Sequence, residues 1–286
     1  MVGERAGSSL WLIPAVALVV GIVYYSVADT FRVSFLDWDG ISPQPRSVGI
    51  DNYRQLWQDE IFHASVRHLL LFGVVTVFVS IALGLMFAVM LHSQVRCKGV
   101  YKVLIFVPVV ISPAATAPVF RQLVSEDGAV HAVMSKVGLD GLFTPWLASP
   151  TYALWVLMFI GVFHLVGFNF VFYYASISQL DESVIEAARC DGAGTFLIVA
   201  RIVLPMMRGT TYALLVLGFI GALRTFDVPF LVTGGGPARS TEFPGTYLYQ
   251  QAIQNFHAGY GAAIAVVLTL AALLLAVLRP GRQVQA

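Results

Sequence analysis

Charged side chains are scarce in this 286-residue chain, in which Asp, Glu, Lys and Arg together make up only 12% of the residues. Soluble domains carry about a quarter charged residues, whereas this chain is 58% hydrophobic and has a strongly positive mean hydropathy. The composition argues against an ordinary soluble domain and predicts a polytopic membrane protein. The net charge of +1 gives no sign of a nucleic-acid partner.

Cysteine and nucleotide-binding motifs are also lacking. The two cysteines, Cys97 and Cys190, fall in segments that we predict to face the cytosol, where thiols stay reduced, so we expect neither a disulfide nor a metal knuckle. The chain contains no Gly-Lys-Ser or Gly-Lys-Thr sequence and therefore no P-loop. Its six histidines are scattered without metal-ligand spacing, which argues against a membrane-embedded metalloenzyme. We predict that the chain is not an enzyme and carries no cofactor of its own.

Long apolar runs are what the chain does have. A membrane helix needs about 20 apolar residues, because each residue adds 1.5 Å and the hydrocarbon layer is roughly 30 Å thick. Six segments meet this requirement, at residues 10–28, 68–91, 100–120, 152–175, 209–226 and 260–278. We therefore predict an all-α polytopic membrane protein in which residues 1–286 form a single transmembrane domain with six spans.

The third of these segments is the least regular. Pro108, Pro113 and Pro118 each remove a backbone donor that lipid cannot replace. We expect this helix to be kinked and packed against protein.

The first segment has an alternative interpretation, because Ser26-Val27-Ala28 faintly resembles the cleavage site of a secretory signal. We favour a retained span, since the apolar run is longer than a usual signal core. Tyr24 and Tyr25 also suit an interfacial anchor.

The basic residues indicate the orientation of the chain in the membrane. Just over half of them fall on one side if the amino terminus is cytosolic, and acidic residues lean to the other side. The basic residues placed inside are Arg5, Arg96, Lys98, Lys102, Arg189, Arg201, Arg208, Arg279 and Arg282. We predict that both termini are cytosolic.

Residues 176–208, between the fourth and fifth spans, carry the signals of two short helices on the cytosolic side. Ser183 followed by Glu186 is a capping-box pattern and predicts a helix start just before the Glu-Ala-Ala run. Gly192 permits the left-handed turn that ends this helix, and Pro205 closes the second helix or bends it into the fifth span. These signals alone also fit a plain connector.

The spacing within this segment resembles the EAA loop of permease subunits from bacterial ABC importers. The matching positions are Glu186, Ala187, Ala188, Gly192, Ile202, Leu204 and Pro205. The resemblance implies a type I importer permease fold in which this loop couples the membrane helices to an ATPase. Glu186 would engage the ATPase surface, the two alanines would allow close approach, and Gly192 would form the turn. Asp191 belongs to the same implied coupling surface.

Later residues resemble the carbohydrate branch of these permeases, near the maltose-permease F type and the glycerol-phosphate permease A type. The resemblance rests on Phe226-Asp227, on residues 233–237 and 259–263, and on residues 48–53 of the first outer loop. It implies that Gly235, Gly236 and Pro237 form an outer loop near a solute-binding protein. The chain departs from the maltose F protein, because it lacks that protein's extra spans and large outer insertion.

The resemblance also implies a complex in the bacterial cytoplasmic membrane that works by alternating access. The partners would be a second related permease, two ATPase subunits that hold ATP and Mg, an extracytoplasmic solute-binding protein, membrane lipid and a sugar. A permease of the same superfamily for peptides, amino acids or oxyanions is the alternative, since it would share the Glu-Ala-Ala signature but not the Gly-Gly-Pro loop.

Polar residues inside spans are expensive in lipid and are the candidates for the solute path. They are His164 and Asn169 in the fourth span, and Arg224, Thr225 and Asp227 at the outer end of the fifth. His164 and Asn169 are five residues apart, about 140° around a helix, and need not share a face. For His164 an ordinary hydrogen bond between helices is an open alternative. Arg224 and Asp227 either pair structurally or recognise a charged or amino-bearing sugar.

Overall fold

A computed structural model describes residues 13–92, 95–139 and 143–277. Helix α1 consists of the consecutive segments Ile13–Leu18, Val19–Tyr24 and Tyr25–Val33, of which the middle one has π-helical hydrogen bonding. Two short antiparallel strands follow, β1 (Leu36–Asp37) and β2 (Arg46–Ser47), with Leu36 opposite Ser47. The further helices are α2 (Asp51–Gln58), α3 (Glu60–His92), α4 (Lys98–Val110), α5 (Pro113–Leu123), α6 (Ala129–Lys136), α7 (Ala153–Ile177), α8 (Glu182–Cys190), α9 (Thr195–Met206, π-helical over Val199–Val203), α10 (Arg208–Leu223), α11 (Asp227–Val232), α12 (Pro244–Tyr249, continued as a π-helix over Gln250–Gln254) and α13 (Ala258–Val277).

Four of these helices are long and apolar enough to cross a membrane, namely α1 over Val16–Val33, α3, α7 and α13. The count rises to six if two bent helix pairs, α4 with α5 and α9 with α10, each form one span. The described chain is thus mostly helical with four to six candidate spans. Residues 10–12 and 278 of the predicted spans lie outside the described residues, as do both termini, whose cytosolic placement was predicted.

The third predicted span is broken rather than kinked. Helices α4 and α5 meet at 99°, with the extended residues Ile111 and Ser112 between them. Pro113 disfavours a helical conformation at Ser112 but fits the first turn of α5. The Ser112 hydroxyl caps this turn by accepting a hydrogen bond from the Ala114 N–H at 3.3 Å. The structure therefore replaces the predicted kink with a complete interruption.

The described chain divides into two compact units, one formed by residues up to 63 with 247–271, the other by residues 64–246 with those from 272 onwards. In the first unit, the buried Asn52 amide donates to the carbonyls of Ser34 and Leu36, each at 2.9 Å. The Gly259 N–H donates to the Trp38 carbonyl at 3.1 Å. These bonds tie the segment after α1 to α2 and to the start of α13.

Asp59, which precedes α3, is the centre of a polar network in the same unit. Its carboxylate accepts the hydroxyls of Tyr247 at 2.5 Å and Tyr260 at 2.6 Å. Burial acts to raise the pKa of Asp59, but these bonds and the N–H groups of Phe62 and Ile61 outweigh it and hold the pKa below its ordinary value. Burial and the Asp59 carboxylate raise the pKa of Tyr247 to about 12.

In the second unit, α3 passes through two apolar clusters that form the core. The buried residues of the first cluster come from α3, α7, α9 and α10 and from the turn between the last two; they are Val77, Ile81, Ala88, Leu91, Phe170, Tyr173, Ile177, Ile198, Val203, Met207 and Leu214. Those of the second cluster are Leu69, Phe72, Ala117, Leu154, Leu157, Met158, Ile160, Val228, Val232 and Phe243. Each cluster supports one of the two candidate sites described below.

Candidate functional site

The first candidate site is the coupling loop, which we define as residues 176–208. Its helix α8 begins at Glu182, and the Asp181 carboxylate caps it by accepting the Ser183 N–H at 3.0 Å. The predicted helix start just before the Glu-Ala-Ala run is therefore confirmed, but the predicted Ser183–Glu186 capping box is wrong, because Asp181, an equally good cap residue, stands two positions earlier. Hydrogen bonds from the hydroxyl and the N–H of Ser183 hold the pKa of Asp181 below its ordinary value.

The end of α8 is closed by two hydrogen bonds in the Schellman pattern. The Ala193 N–H donates to the Ala188 carbonyl at 2.9 Å, and the Gly192 N–H donates to the Arg189 carbonyl at 3.0 Å. Gly192 has a φ of +83°, which favours glycine. The predicted left-handed turn is confirmed.

Helix α8 has an exposed side and a side that is anchored to the core. Glu186, Ala187 and Asp191 are exposed, whereas Ala188 is half-buried against the first core cluster. The loop therefore presents an ordered helical surface rather than an irregular connector.

Helix α9 anchors the second half of the loop through the buried side chains of Ile198 and Val203. Ile202 is half-buried, whereas Leu204 and Pro205 are exposed. The chain then turns by 70° into α10. Pro205 thus lies just before the bend that the sequence predicted.

A cavity of about 370 Å³ lies beneath the coupling loop. Glu186 and Arg189 line it together with His92, from the end of α3, and Thr195. Its apolar lining consists of Val89, Ile177, Ile185, Ile198, Val199 and Val203. Arg189 was not predicted as a site residue, although its position three residues after Glu186 places both on one face of α8.

The second candidate site is the helix-break cavity, a space of about 270 Å³ where α5 begins and α10 ends. It is mostly apolar with a few polar groups, as small-molecule sites usually are. Its lining residues are Phe72, Thr76, Pro113, Gly161, His164, Leu165, Leu217, Gly218, Gly221, Ala222, Arg224, Thr225, Phe226, Asp227 and Val228. Four of the five candidate path residues are thus brought together.

His164 borders this cavity from α7 and bonds through both ring nitrogens. Its Nδ1 donates to the Pro108 carbonyl at 3.1 Å, and its Nε2 lies 2.8 Å from the Thr116 hydroxyl. The residue therefore makes the hydrogen bond between helices that was considered for it and also lines the cavity.

Asn169 is separated from this site. It is buried, and its amide donates to the Ser80 hydroxyl on α3 at 2.9 Å. A Cβ added at Gly84 would lie 2.7 Å from the Asn169 Cβ, so the two helices are in close contact here. Asn169 does not occur among the described residues that line the helix-break cavity.

Arg224 and Asp227 both line the cavity and are exposed. Within the described part of the chain, neither residue has an oppositely charged group within 4.0 Å, so the structural ion pair that was considered does not form. The Thr225 hydroxyl donates to the Gly221 carbonyl at 3.3 Å, within its own turn. The guanidinium and the carboxylate are both available to a bound molecule.

Close helix packing shapes the wall of the cavity at Gly161. A Cβ added there would lie 2.8 Å from Phe72 Cζ and 2.9 Å from Thr76 Cγ2, so only glycine fits without a shift. Neither Phe72 nor Thr76 was predicted as a site residue. Thr76 carried a signal, as a polar residue inside an apolar run, whereas Phe72 carried none.

The predicted outer loop at Gly235, Gly236 and Pro237 is a compact turn. Gly235 has a φ of +86°, and the Gly236–Pro237 peptide bond is cis. The Thr241 hydroxyl donates to the Gly236 carbonyl at 2.6 Å. The buried Glu242 carboxylate lies against Gly235. Contacts from the neighbouring residues Thr241 and Glu242 therefore hold this loop in place.

Comparison with known proteins identifies the family. Residues 80–280 match the family described as binding-protein-dependent transport system inner membrane component. The chain belongs to this family. The match contains the whole coupling loop and most residues of the helix-break cavity. The permease is therefore a multi-pass membrane protein and a transport subunit.

Two relatives cover nearly all of the permease. A probable ABC transporter permease protein of Pyrococcus horikoshii is 32% identical over 266 residues, which are 93% of this chain and 91% of that protein. The lactose transport system permease protein LacF of Rhizobium radiobacter is 28% identical over 274 residues, 94% of this chain and 91% of that protein. A chain in the crystal structure of a bacterial alginate ABC transporter, in complex with alginate pentasaccharide-bound periplasmic protein, has the same fold. Its TM-score is 0.83 at 20% identity, and the match covers 96% of this permease and 93% of that chain.

Proposed function

We propose that this permease forms half of the translocation pathway of a sugar-importing ABC transporter and couples it to ATP hydrolysis by separate ATPase chains. The observation that carries the proposal is the geometry of α8. This helix holds Glu186 and Ala187 on an exposed surface, is closed by Gly192, and is anchored to the core beside Ala188. Such a surface suits docking, because it is already ordered and loses little conformational entropy on binding.

In this proposal the coupling loop faces the cytosol and contacts an ATPase subunit. Glu186 engages the ATPase surface, Ala187 and Ala188 allow close approach, and Gly192 fixes the end of the helix. The remaining residues of the coupling surface are Asp191, Ile202, Leu204 and Pro205. ATP and Mg are bound by the ATPase chains.

The sugar assignment rests on the chemistry of the helix-break cavity and on the relatives. Phe72 and Phe226 offer aromatic faces for an apolar ring face, while Thr76, His164 and Arg224 offer hydrogen-bonding groups. One relative is named for lactose, and the structural neighbour transports alginate. Asp227 and Thr225 complete the polar lining. We assign Asn169 to helix packing rather than to solute contact.

The same proposal includes the rest of the complex. Only 6% of the Val16–Val33 window is buried within the chain, which fits a span covered by lipid and by a second, related permease. The structural neighbour was solved with a loaded periplasmic protein, and we place the corresponding solute-binding protein near Gly235, Gly236 and Pro237. We propose one permease domain with six spans, of which the third is broken and the fifth is formed by α10, and with both termini in the cytosol of a bacterial cell.

Transport then follows from alternating access. The inward-open and outward-open forms need to differ by only a few kcal/mol, so that ATP and the loaded binding protein can shift the equilibrium between them. The coupling loop is the part of this chain through which the ATPase acts on that equilibrium.

Glu186→Lys tests the coupling assignment. We expect uptake to be abolished, while membrane insertion and assembly with the other subunits stay intact, as measured by uptake in proteoliposomes and by co-purification. Glu126→Lys, the same charge reversal at another exposed residue, is the control and should leave uptake unchanged. Normal uptake in Glu186→Lys would contradict the proposal.

The sugar assignment is tested with the solute-binding protein of the same transporter. We expect its thermal unfolding temperature to rise with one class of sugar in a panel of disaccharides, amino sugars and glycerol phosphates. Stabilisation by peptides or amino acids instead would overturn the sugar assignment and leave the coupling assignment in place.

A further inference from the structure

The break in the third span leaves backbone groups that need partners. In an uninterrupted helix, the Pro108 carbonyl would accept the N–H of Ser112. Helix α4 ends at Val110, so this bond is not made. An unpaired carbonyl within a membrane span is costly, because lipid offers no donor.

His164 supplies the missing donor from α7. A carbonyl can only accept, so the bond at 3.1 Å requires the proton to be on Nδ1. In the neutral ring, Nε2 is then an acceptor and takes the hydroxyl of Thr116 at 2.8 Å, a shorter distance than those from this hydroxyl to the carbonyls of Pro113, 3.2 Å, and Ser112, 3.4 Å. Pro108 lies in α4, before the break, and Thr116 lies in the first turn of α5, after it. One imidazole therefore contacts both halves of the broken span.

The surrounding packing holds the ring in place. Helix α7 approaches α4 closely one turn further on, where a Cβ added at Gly167 would collide with the Ile105 carbonyl. Thr116 is buried, and His164 is half-buried with one side towards the helix-break cavity. The cavity lining includes Pro113, the first residue after the break. The angle between α4 and α5 therefore sets part of the cavity wall.

We infer that His164 is a positioning residue that joins the two halves of the broken third span through both ring nitrogens and so fixes the shape of the cavity wall. The expected effect of His164 on uptake rests on the proposed transport function. Its expected effect on the angle between α4 and α5 does not, so an experiment can contradict the positioning role without contradicting the transport function, and the reverse.

The angle can be measured in the assembled transporter with spin labels at Val100 on α4 and Val119 on α5, both of which are exposed. Cys97 and Cys190 are replaced by Ser so that the labels are unique. From the rise per residue, the two backbone positions are roughly 18 Å apart at the observed bend and roughly 28 Å apart in a straight helix. We expect a narrow distance distribution in the parent protein and a broader one, shifted towards longer distances, in His164→Leu.

Conservative variants separate the two bonds. The amide of His164→Asn reaches about as far as Nδ1 and keeps the Pro108 bond, whereas that of His164→Gln reaches about as far as Nε2 and keeps the Thr116 bond. Thr116→Val should therefore broaden the distribution further in His164→Gln but not in His164→Asn. Thr269→Val is the matched control, because among the described residues the Thr269 hydroxyl bonds only within its own helix, to the Ala265 carbonyl. We expect an uptake loss of about three- to tenfold for His164→Leu and about half of that, on a logarithmic scale, for each single-bond variant.

Three outcomes would overturn the inference. Unchanged distances in His164→Leu would show that the break holds without the ring. Changed uptake at unchanged distances would make His164 a solute contact rather than a positioning residue. Equal effects of Thr116→Val in the Asn and Gln variants would show that the two bonds do not act separately.

Discussion

The coupling loop and the helix-break cavity belong to the same compact unit but are held in opposite ways. Among the described residues, the hydrogen bonds that close the two ends of α8 join residues within five positions of each other, such as Asp181 to Ser183 and Ala193 to Ala188. In the cavity, His164 bonds to residues 48 and 56 positions away in the chain. The two ends of α8 are thus fixed by local bonds, although its inner side packs on the core, whereas the cavity wall is joined by bonds between distant helices.

This difference implies that substitutions at the two sites cause different defects. A change in the loop should impair coupling to the ATPase without altering which solutes the permease prefers, because the cavity does not depend on the local bonds of α8. A change in the cavity wall should alter solute handling and stability together, because its residues are also packing residues. Variants at the two sites can therefore show whether coupling and solute handling are lost separately.

The largest effect is expected for Gly192→Pro. Proline requires a φ near −65° and has no N–H, whereas Gly192 has a φ of +83° and donates to the Arg189 carbonyl. The end of α8 should therefore be lost, and uptake in proteoliposomes should fall by about a hundredfold or more. The solute preference of the residual uptake should not change.

Gly194→Ala is the control in the same loop. Gly194 has a φ of −70°, and no heavy atom of a more distant described residue lies within 4 Å of an added Cβ. Uptake should stay within about twofold of the parent value. Equal losses of uptake in Gly194→Ala and Gly192→Pro would show that the loop tolerates neither change. The left-handed turn at Gly192 would then not be the cause of the loss.

Gly161→Ala should disturb the cavity wall and its packing together. The added methyl group would meet Phe72 and Thr76, both buried, and Phe72 is held in place by the ring of Phe243 at 5.1 Å between centroids. We expect a loss of about 1–3 kcal/mol of stability, measured as a lower unfolding temperature, with weaker uptake of every solute.

Gly221→Ala provides the matched control on the same cavity. No heavy atom outside its own helix, among the described residues, lies within 4 Å of an added Cβ there. Its unfolding temperature should therefore stay close to that of the parent. A lower temperature in both variants would assign the effect to glycine itself and not to the contact with α3.

Arg224→Ala should have a smaller and more selective effect. Because Arg224 has no ion-pair partner among the described residues, its removal leaves no buried charge unpaired and should cost little stability. If the guanidinium contacts solute, the order in which loaded solutes stimulate ATP hydrolysis should change, by about tenfold for the most affected one. Lys136→Ala, at the end of α6, is the control. An unchanged order would exclude Arg224 from solute selection.

The fold was predictable to the extent that it depends on apolar length. Four of the runs of about 20 apolar residues coincide with helices that are long enough to cross a membrane, and the other two overlap bent helix pairs. The break at Ser112 was not predictable in full, because proline reveals only that a helix is disturbed. Its form also depends on the cap made by Ser112 and on the bond from His164, more than 50 positions further along the chain.

The candidate sites differ in the same respect. Gly192 was predictable because the turn it makes is a property of a few neighbouring residues. The cap of α8 was missed because Asp181 and Ser183 are both strong cap residues and the sequence does not rank them. Polarity within a span made both His164 and Asn169 candidates, yet of these two only His164 lines the cavity. Polarity identifies a costly residue, but not the face of the helix on which it lies.

The smallest effect is expected at the start of the coupling loop, where Asp181 caps α8. Asp181→Ala removes the acceptor of the Ser183 N–H and should lower the rate of uptake per ATP hydrolysed by about twofold, with the solute order unchanged. Asp181→Asn keeps the cap and should behave like the parent at neutral pH.

Acid titration distinguishes this local bond from a general effect on the loop. The pKa of Asp181 lies below its ordinary value, because the hydroxyl and the N–H of Ser183 favour the carboxylate. Its contribution is therefore fully present above the unfolded pKa of about 3.9 and is lost as the pH falls through the lower pKa of the folded chain. Hydrogen exchange at the Ser183 and Val184 amides should accelerate over that range in the parent, relative to Asp181→Asn, after correction for intrinsic rates. The same acceleration in both would mean that the loop opens on acidification for another reason. In that case the start of α8 would depend on distant contacts, as the helix-break cavity does, and the contrast between the two sites would not hold.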